Sequence, residues 1–488
     1  MDGFWEEVSK NLFKGKLNPP RKVLGELLKR HGSEIVICHP TYRNADNIGR
    51  LLKNGIDGVL VNFRDKRVAF VVSDGTYTSA DPDSSTIDAA IAGVKDGFGN
   101  GLPENVLVAV TPYEGYLQNF VPGKGSALKL VYEELAFCDA KLAIILDGDL
   151  RNDMVTWHRA FRKVSDFHFR MFPNDEMFVT ARYARHFVDA SLTRFVVGPL
   201  TTLMGIFVPG GISGDICLSA GAVALERGKW TEERLKYGTD ISTTFDNLAN
   251  PDSIIYELYL GAKLHDITDE AKLSVMPGEV IGAALERILH YRELVQENLK
   301  HEILLGHPVR WGPEQTGIEF IDPGYTNVFN VEQKVATLVK KWPEFRSDIE
   351  VILGQEKTER LAREVRLLQD AARNLQGSLR FLEFGQEKWI DALYMGLAFV
   401  LKKEEIGVVK RAFNYLYTAA FLEFCKDRLE DLGLDTFEKV VKAQDHLGVP
   451  PEKAQEFYEE RVDRIAFDLA KKFFEGRKRI LNYAADFS

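Results

Sequence analysis

Between residues 33 and 149 the chain passes four times through a short apolar run and, between those runs, through stretches with helical spacing. SEIVICHP (33–40), RVAFVVSDG (67–75), NVLVAVTP (105–112) and KLAIILDGD (141–149) are rich in Val and Ile, and each stops at a proline or in polar residues. Runs of this length and composition read as buried strands. NADNIGRLLKNGI, DSSTIDAAIAGVKDGF and GSALKLVYEELAF, which separate them, place apolar residues three and four apart, and Asn44 stands where the first would be N-capped. Buried strands alternating with helices predict an α/β fold with a parallel, doubly wound sheet. Such sheets hold ligands at the carboxyl ends of their strands, where this chain collects its polar residues.

Beyond Gly278 the spacing turns mainly helical, as in GAALERILHYRELVQENLKHEILL, TERLAREVRLLQDAARNLQ, DALYMGLAFVLKK and RVDRIAFDLAKKFFEGRKRIL. The expected organisation is a helical lead-in at 1–33, a sheet domain at 34–278 and an α-helical C-terminal region at 279–488. The Gly- and Pro-rich stretch 307–327 reads as a loop at a subdomain boundary. One stretch imitates a membrane span: residues 195–212 are 18 uncharged residues, but they hold two prolines and four glycines. A spanning helix needs its backbone bonds intact, so a buried, partly helical segment is expected instead, with no stable membrane span.

Sixty-two Lys and Arg against 72 Asp and Glu leave a net charge of −10 over 488 residues, which argues against a dedicated nucleic-acid binder. Cys38, Cys138, Cys217 and Cys425 are widely spaced and form no CxxC pair. They suggest neither a disulfide framework nor a zinc site, and a reducing cytoplasm is the expected setting. The first 22 residues are mixed in charge and lack the apolar core of a secretory signal.

Chemistry concentrates in two places. Asp147-Gly148-Asp149 follows the apolar run LAIIL, and two carboxylates so placed suit a divalent cation that also bridges diphosphate oxygens. The plainer reading is a turn whose Asp caps the next helix. Pro122-Gly123-Lys124-Gly125-Ser126 opens a helix without Walker A spacing. Its glycines let the backbone approach an anion, and Lys124 adds charge. An ordinary glycine turn is the alternative there.

Taken in order, these and further motifs resemble the retaining, nucleotide-sugar-dependent glycosyltransferases of the GT-A fold, nearest the glucosyl-3-phosphoglycerate and mannosylglycerate synthases. CHPTYRNADNI stands at the family's P-A-L-N-E position, VVSDGTYTSAD at D-S-G-S-T-D-D, PGKGSAL at the G-K-G loop and DGD at D-x-D. FVTARYAR resembles the strand with a Tyr-Arg pair, VPGGISGDICLS the P-L-G-G-E loop, YGTDISTTFDNLA the acidic helix start, and GAKLHD the strand end with a metal-binding histidine. The resemblance covers about residues 34–270. It implies a GT-A sheet, mainly parallel and flanked by helices, with Mg²⁺ or Mn²⁺ held by Asp149, His265 and Asp147. It implies that Pro40, Tyr42, Asn44, Ser73, Asp74, Gly123, Lys124, Asp147, Gly148, Gly211 and Gly214 line the nucleotide sugar. Asp240, Asp215 and Lys124 would take the catalytic roles, and Thr193, Arg194 and Arg182 would bind the acceptor. The implied donor is a UDP- or GDP-hexose, the implied acceptor glycerate or 3-phosphoglycerate, and the implied product a compatible solute of the glucosylglycerate or mannosylglycerate kind. A homodimer is the assembly the resemblance suggests.

The sequence departs from that family in three ways. The acid of P-A-L-N-E is out of register, so Asn44 or Asp46 would meet the ribose. D-S-D has become D-G-D. Ser191 stands where the 3-phosphoglycerate enzymes have an arginine, leaving Arg182, Arg185 or Arg194 to compensate, or a plain hydroxy acid as acceptor. A polyprenyl-phosphate transferase, an inverting enzyme with Asp240 as base, and a silent nucleotide-sugar-binding scaffold are the competing readings.

Overall fold

The structure, a computed structural model, describes residues 23–76, 81, 83–99, 101–113, 121–185, 190–265, 270–319, 331–370, 379–431 and 463–487. Most of the expected lead-in lies outside the described residues; within it, Val23–His31 is a helix. The chain divides into two compact units, one formed by 1–183, 212–266 and 308–321, the other by 184–211, 267–307 and 322–488.

The first unit is built on eight strands: β1 (Ile35–Thr41), β2 (Val68–Asp74), β3 (Val106–Pro112), β4 (Leu142–Ile145), β5 (Glu176–Ala184), β6 (Ile216–Ser219), β7 (Ser253–Ala262) and β8 (Val309–Trp311). They form one sheet in the order β3-β2-β1-β4-β6-β5-β7-β8. β1 to β4 are mutually parallel, β6 runs antiparallel to both β4 and β5, and β8 lies parallel to β7. Helices Ala45–Asn62, Ser85–Phe98, Lys124–Glu134 and Met154–Met171 follow β1 to β4 in turn. The α/β class expected from the sequence is therefore found, as a mainly parallel sheet with helical connections. All seven residues of β2 and of β3 are buried, which is why those runs show no polar alternation. The stretch 307–327, read as a loop, instead contributes β8 and the short helix Pro313–Thr316. Three strand residues carry no period that a sequence could reveal.

The sheet reverses its winding at β1, with β2 on one side and β4 on the other. The β1–β4 ladder ends at the Cys38–Ile145 pair, while β1 continues on β2 as far as Thr41. Pro40 falls in this extension, where β1 has already lost β4 as a neighbour, so its missing N–H leaves no gap in that ladder. A crevice between strand ends at such a reversal is where open α/β sheets bind ligands.

Beneath this edge lie two histidines that the sheet's packing keeps neutral. His158, on helix Met154–Met171, is fully buried, and neither ring nitrogen has a hydrogen-bond partner among the described residues. Only a glycine fits opposite it: a Cβ on Gly58 would stand 2.6 Å from its Nδ1. His39, also fully buried, has Nδ1 3.1 Å from the Leu146 carbonyl oxygen and stacks on Phe70 at 6.3 Å. Burial first, then repulsion from His39, pushes His158 down to about 3. Burial likewise pushes His39 down to about 4, against the weaker pull of the Leu146 carbonyl.

The second unit is helical. Its longer helices are Glu270–His290, Arg292–Lys300, Val331–Leu353, Gln355–Asp370, Gln386–Lys403, Ile406–Asp431, Arg464–Gly476 and Arg479–Asp486, in keeping with the helical C-terminal region expected. The uncharged stretch near 195–212 is broken into a π-helical turn Thr193–Val197, a short helix Gly198–Thr201 and a 3-10 turn Thr202–Met204. Fully buried Trp389 donates its indole N–H to the Phe195 carbonyl at 2.8 Å, and Ala466 and Ala470 pack on Phe207. No helix among the described residues is long and apolar enough to cross a membrane. Cys38, Cys138, Cys217 and Cys425 are all free.

Because the folded pKa values of His39 and His158 lie below the unfolded value, their contribution is intact above about pH 6.5 and is lost as pH falls toward 4. At about pH 5 each is expected to cost about 2 kcal/mol relative to neutrality. Denaturant midpoints measured at the two pH values should show this drop, and it should shrink in His39→Phe. An unchanged slope in that variant would refute the assignment.

Candidate active site

The loops that follow β1, β4 and β7, the loop that leads into β6 and the helix starts at Lys124 and Thr239 meet at the carboxyl edge of the parallel strands. Their link is a lattice of charge. Lys124, at the first position of helix Lys124–Glu134, donates from Nζ to Asp147 Oδ1 at 2.8 Å, to Asp240 Oδ2 at 3.1 Å and to the Gly214 carbonyl at 3.2 Å. Lys263, just after β7, grips the other oxygen of Asp147 at 2.6 Å, and also reaches Asp215 Oδ2 at 2.6 Å and the Ser213 carbonyl at 3.1 Å. Asp215 in turn accepts the backbone N–H of Asp147 at 2.9 Å and the hydroxyl of Tyr183.

Gly214 makes this convergence possible. Its φ of +81° is in the left-handed region, and a Cβ there would stand 2.5 Å from Asp147 Oδ2 and 3.0 Å from Lys124 Nζ. Gly148 is required for a different reason: its Cβ would lie 2.7 Å from Thr41 Cγ2 and 2.8 Å from the Pro40 carbonyl. Gly148 thus allows a tight seat of the β4 loop on the end of β1. Asn47, on helix Ala45–Asn62, completes that seat by donating to the carbonyls of Gly148 (3.3 Å) and Leu150 (2.9 Å).

The same loop is stitched to the end of β7. The Arg151 N–H meets the Leu264 carbonyl at 2.8 Å, Leu264 N–H meets Asn152 Oδ1 at 2.8 Å, and Asn152 Nδ2 meets the Ala262 carbonyl at 2.7 Å. This brings His265 into electrostatic reach of Asp149. Asp149, unlike Asp147, makes no side-chain hydrogen bond or ion pair among the described residues. Burial, then the Asp147 charge, holds its carboxyl above the usual range against the pull of Lys263 and His265. Burial would also raise Asp147, but Lys124 and Lys263 override it and hold that carboxyl well below the usual range. Asp240 is raised, mainly by burial, and its Oδ1 has no hydrogen-bond partner among the described residues.

Four carboxylates (Asp147, Asp149, Asp215, Asp240) thus face two ammoniums, leaving two formal negative charges to be matched. No group of three His, Cys, Asp or Glu side chains among the described residues forms a ready metal cage. The donor set that fits a divalent cation is the pair Asp149 and His265, with the remaining positions left to ligand oxygens or water, as Mg²⁺ commonly takes them. Asp147 already satisfies its two oxygens with lysines.

The other residues singled out from the sequence have distinct placements. Pro40 and Asn44 are half-buried and Tyr42 is exposed at the end of β1. The Asn44 side chain accepts the Tyr42 N–H at 2.8 Å rather than capping its helix. Ser73 and Asp74 are fully buried: Ser73 donates to the Ala127 carbonyl at 3.0 Å, and Asp74 receives Thr41 and Thr76 at 3.0 Å each. In this state they brace the loop after β2 from within. Gly123 precedes Lys124 at the helix start, and Arg182 is half-buried on β5. Gly211, Thr193 and Arg194 belong to the second unit, where Arg194 is buried and the Ser191 hydroxyl is bonded to Tyr417. Lys263 and Tyr183 escaped the sequence reading as site residues. Their signal was present only as letters inside GAKLHD and FVTARYAR, because their partners lie 32 to 116 positions away.

No family model matches the chain, and no curated protein matches it. Among solved structures it is similar to glucosyl-3-phosphoglycerate synthase from Mycobacterium tuberculosis in complex with phosphoglyceric acid, with 22% identity, 55% of this chain and 85% of that chain covered, and a TM-score of 0.38. It is similar to mannosyl-3-phosphoglycerate synthase from Rubrobacter xylanophilus, with 17% identity, coverage of 56% and 79%, and a TM-score of 0.37. It is also similar to residues 1–349 of S. aureus TarS in complex with UDP-GlcNAc, with 11% identity, coverage of 82% and 92%, and a TM-score of 0.32. Glucosyl-3-phosphoglycerate synthase, the kind of enzyme that the motifs resemble, is thus among these neighbours. A likeness of this degree assigns no residue and no substrate.

Gly148→Ala tests the seat of the β4 loop. It is expected to lower stability by about 1–3 kcal/mol through overpacking, whereas Gly101→Ala, which meets nothing within 4 Å, should be silent. Equal thermal midpoints for the two variants would show that the close approach is not tight.

Proposed function

We propose that this chain is a metal-dependent glycosyltransferase that moves a hexose from a nucleoside-diphosphate sugar to a small hydroxy acid of the glycerate or 3-phosphoglycerate kind, with retention. The observation that carries the proposal is the Lys124 ammonium lodged between Asp147 and Asp240, on a lattice that leaves the Asp149 carboxylate, within electrostatic reach of His265, without a side-chain hydrogen bond or ion pair among the described residues. The placement of that lattice at the sheet's winding reversal supports a nucleotide ligand, and the motif resemblance supports the sugar.

A bound Mg²⁺ or Mn²⁺ on Asp149 and His265 would supply charge neutralisation for the diphosphate. The protein's own groups account for the rest. Lys124 and Lys263 are held charged, since Asp147 with Asp240 and with Asp215, respectively, outweighs the burial that opposes it. Each ammonium is thus poised to stabilise the negative charge that grows on the leaving phosphate as the anomeric C–O bond breaks. Asp240 Oδ1, buried and without a partner among the described residues, can accept a hydroxyl of the sugar or the acceptor and fix its direction. In transfer with retention the acceptor oxygen attacks from the face the phosphate leaves, and the departing phosphate oxygen takes the acceptor's proton. No side-chain nucleophile is required. Ser191 in place of the family's arginine favours a glycerate-like acceptor over one whose phosphate that arginine would bind. A homodimer and a cytoplasmic setting belong to the same proposal.

A panel of UDP- and GDP-hexoses against glycerate and 3-phosphoglycerate, read by product NMR, tests donor, acceptor and anomeric outcome together. Asp149→Asn is expected to lower turnover by about 100-fold or more while leaving the thermal midpoint within a few degrees. Undiminished turnover in Asp149→Asn, or no sugar-nucleotide turnover with any donor, would sink the reading.

A further inference from the structure

Directly behind the Lys124 loop the first unit buries a second charge cluster that the chemistry above does not use. Arg234 is 0% exposed. One guanidinium nitrogen donates to Asp246 Oδ2 at 2.9 Å and to the Lys229 carbonyl at 3.2 Å, the other to Glu226, and the plane lies 4.7 Å over the Trp230 ring. Glu226, equally buried, also receives the Thr243 hydroxyl at 2.9 Å and the Asn247 amide at 3.3 Å. The knot ties together the helix Ala220–Glu226, the turn that carries Arg234 and the helix Thr239–Ala249.

What rests on that turn is the glycine loop. The Gly125 N–H donates to the Lys236 carbonyl at 3.1 Å. A Cβ on Gly125 would stand 1.9 Å from the Arg234 carbonyl oxygen, and one on Gly123 2.5 Å from that of Leu235. Backbone therefore lies on backbone, with no side chain between to absorb a shift. Asp240 is mounted on the same knot, six residues after Arg234 and six before Asp246. Both ends of the 3.1 Å Lys124–Asp240 contact are thus referred to one buried guanidinium.

A fully buried ion cluster adds little net stability over apolar groups of the same volume. A guanidinium fork does fix direction, because its donors are coplanar and rigid. We propose that Arg234, with Glu226 and Asp246, is a positioning residue that sets the distance between Lys124 and Asp240 for binding the nucleoside diphosphate. This rests on the transferase reading above and deepens it. Asp149 and His265 lie on other loops, so the knot governs the nucleotide and not the cation.

Two variants test it: the neutral set Arg234→Met, Glu226→Gln and Asp246→Asn, which leaves no buried charge unpaired, and the single change Arg234→Lys, which keeps the charge but loses the fork. Binding of Mn²⁺ alone, and of UDP and GDP in the presence of Mn²⁺, is measured by calorimetry, with thermal midpoints alongside. The expected result is a loss of about tenfold or more in affinity for whichever nucleotide binds, with Mn²⁺ affinity unchanged and the melt within a few degrees. Wild-type nucleotide affinity in both variants would overturn the positioning role and leave the transferase reading standing. A parallel loss of Mn²⁺ and nucleotide binding with a fallen melt would reduce the knot to a structural element, which also overturns it. Failure of the wild-type protein to bind either nucleotide would instead overturn the transferase reading and this inference with it.

Discussion

Lys124 and Lys263 hold Asp147 between them, and the edge of the first unit is organised around that grip. Three carboxylates and two ammoniums cannot be brought this close, largely out of water, unless each charge finds a counter-charge and its remaining hydrogen bonds. The lattice satisfies this with main-chain groups as well: the carbonyls of Gly214 and Ser213 accept from the lysines, and the Asp147 N–H donates to Asp215. Because the members come from the ends of β4, β6 and β7 and from the helix after β3, the lattice fixes several loops relative to one another. Asp149 stands outside this arrangement: its carboxylate has no side-chain hydrogen bond or ion pair among the described residues.

The fold's outline was legible because each strand of the first half is a β-branched run closed by a polar turn, and each connection has helical spacing. Asp147, Asp149 and Lys124 could be singled out for the same reason: a charged residue directly after a buried strand, or opening a helix behind glycines, stands at the edge where such a sheet meets its ligand. Asp240 and His265 came only through resemblance to a family. His265 comes near Asp149 because β7 returns beside the β4 loop, and Asp240 meets Lys124 because the turn at Arg234 lies against the glycine loop; no local pattern encodes either approach.

Other features were hidden for identifiable physical reasons. Lys263 is a lone lysine whose two carboxylate partners precede it by 48 and 116 positions. Ser73 and Asp74 look like solvent-facing loop residues, yet their hydrogen bonds are spent on Ala127, Thr41 and Thr76. Nothing local in the sequence marks that Glu226, Arg234 and Asp246 will be buried together. β8, at three residues, is too short to show alternation at all.

The discontinuity of the first unit has a consequence for how the chain is made. Its sheet ends at Trp311, but residues 267–307, which precede β8, belong to the helical unit. During vectorial synthesis β7 must therefore wait, one flank unpaired, while some forty residues of another unit emerge before its neighbour arrives. An open β edge is a template for pairing with another chain, and β7 carries that liability until β8 arrives.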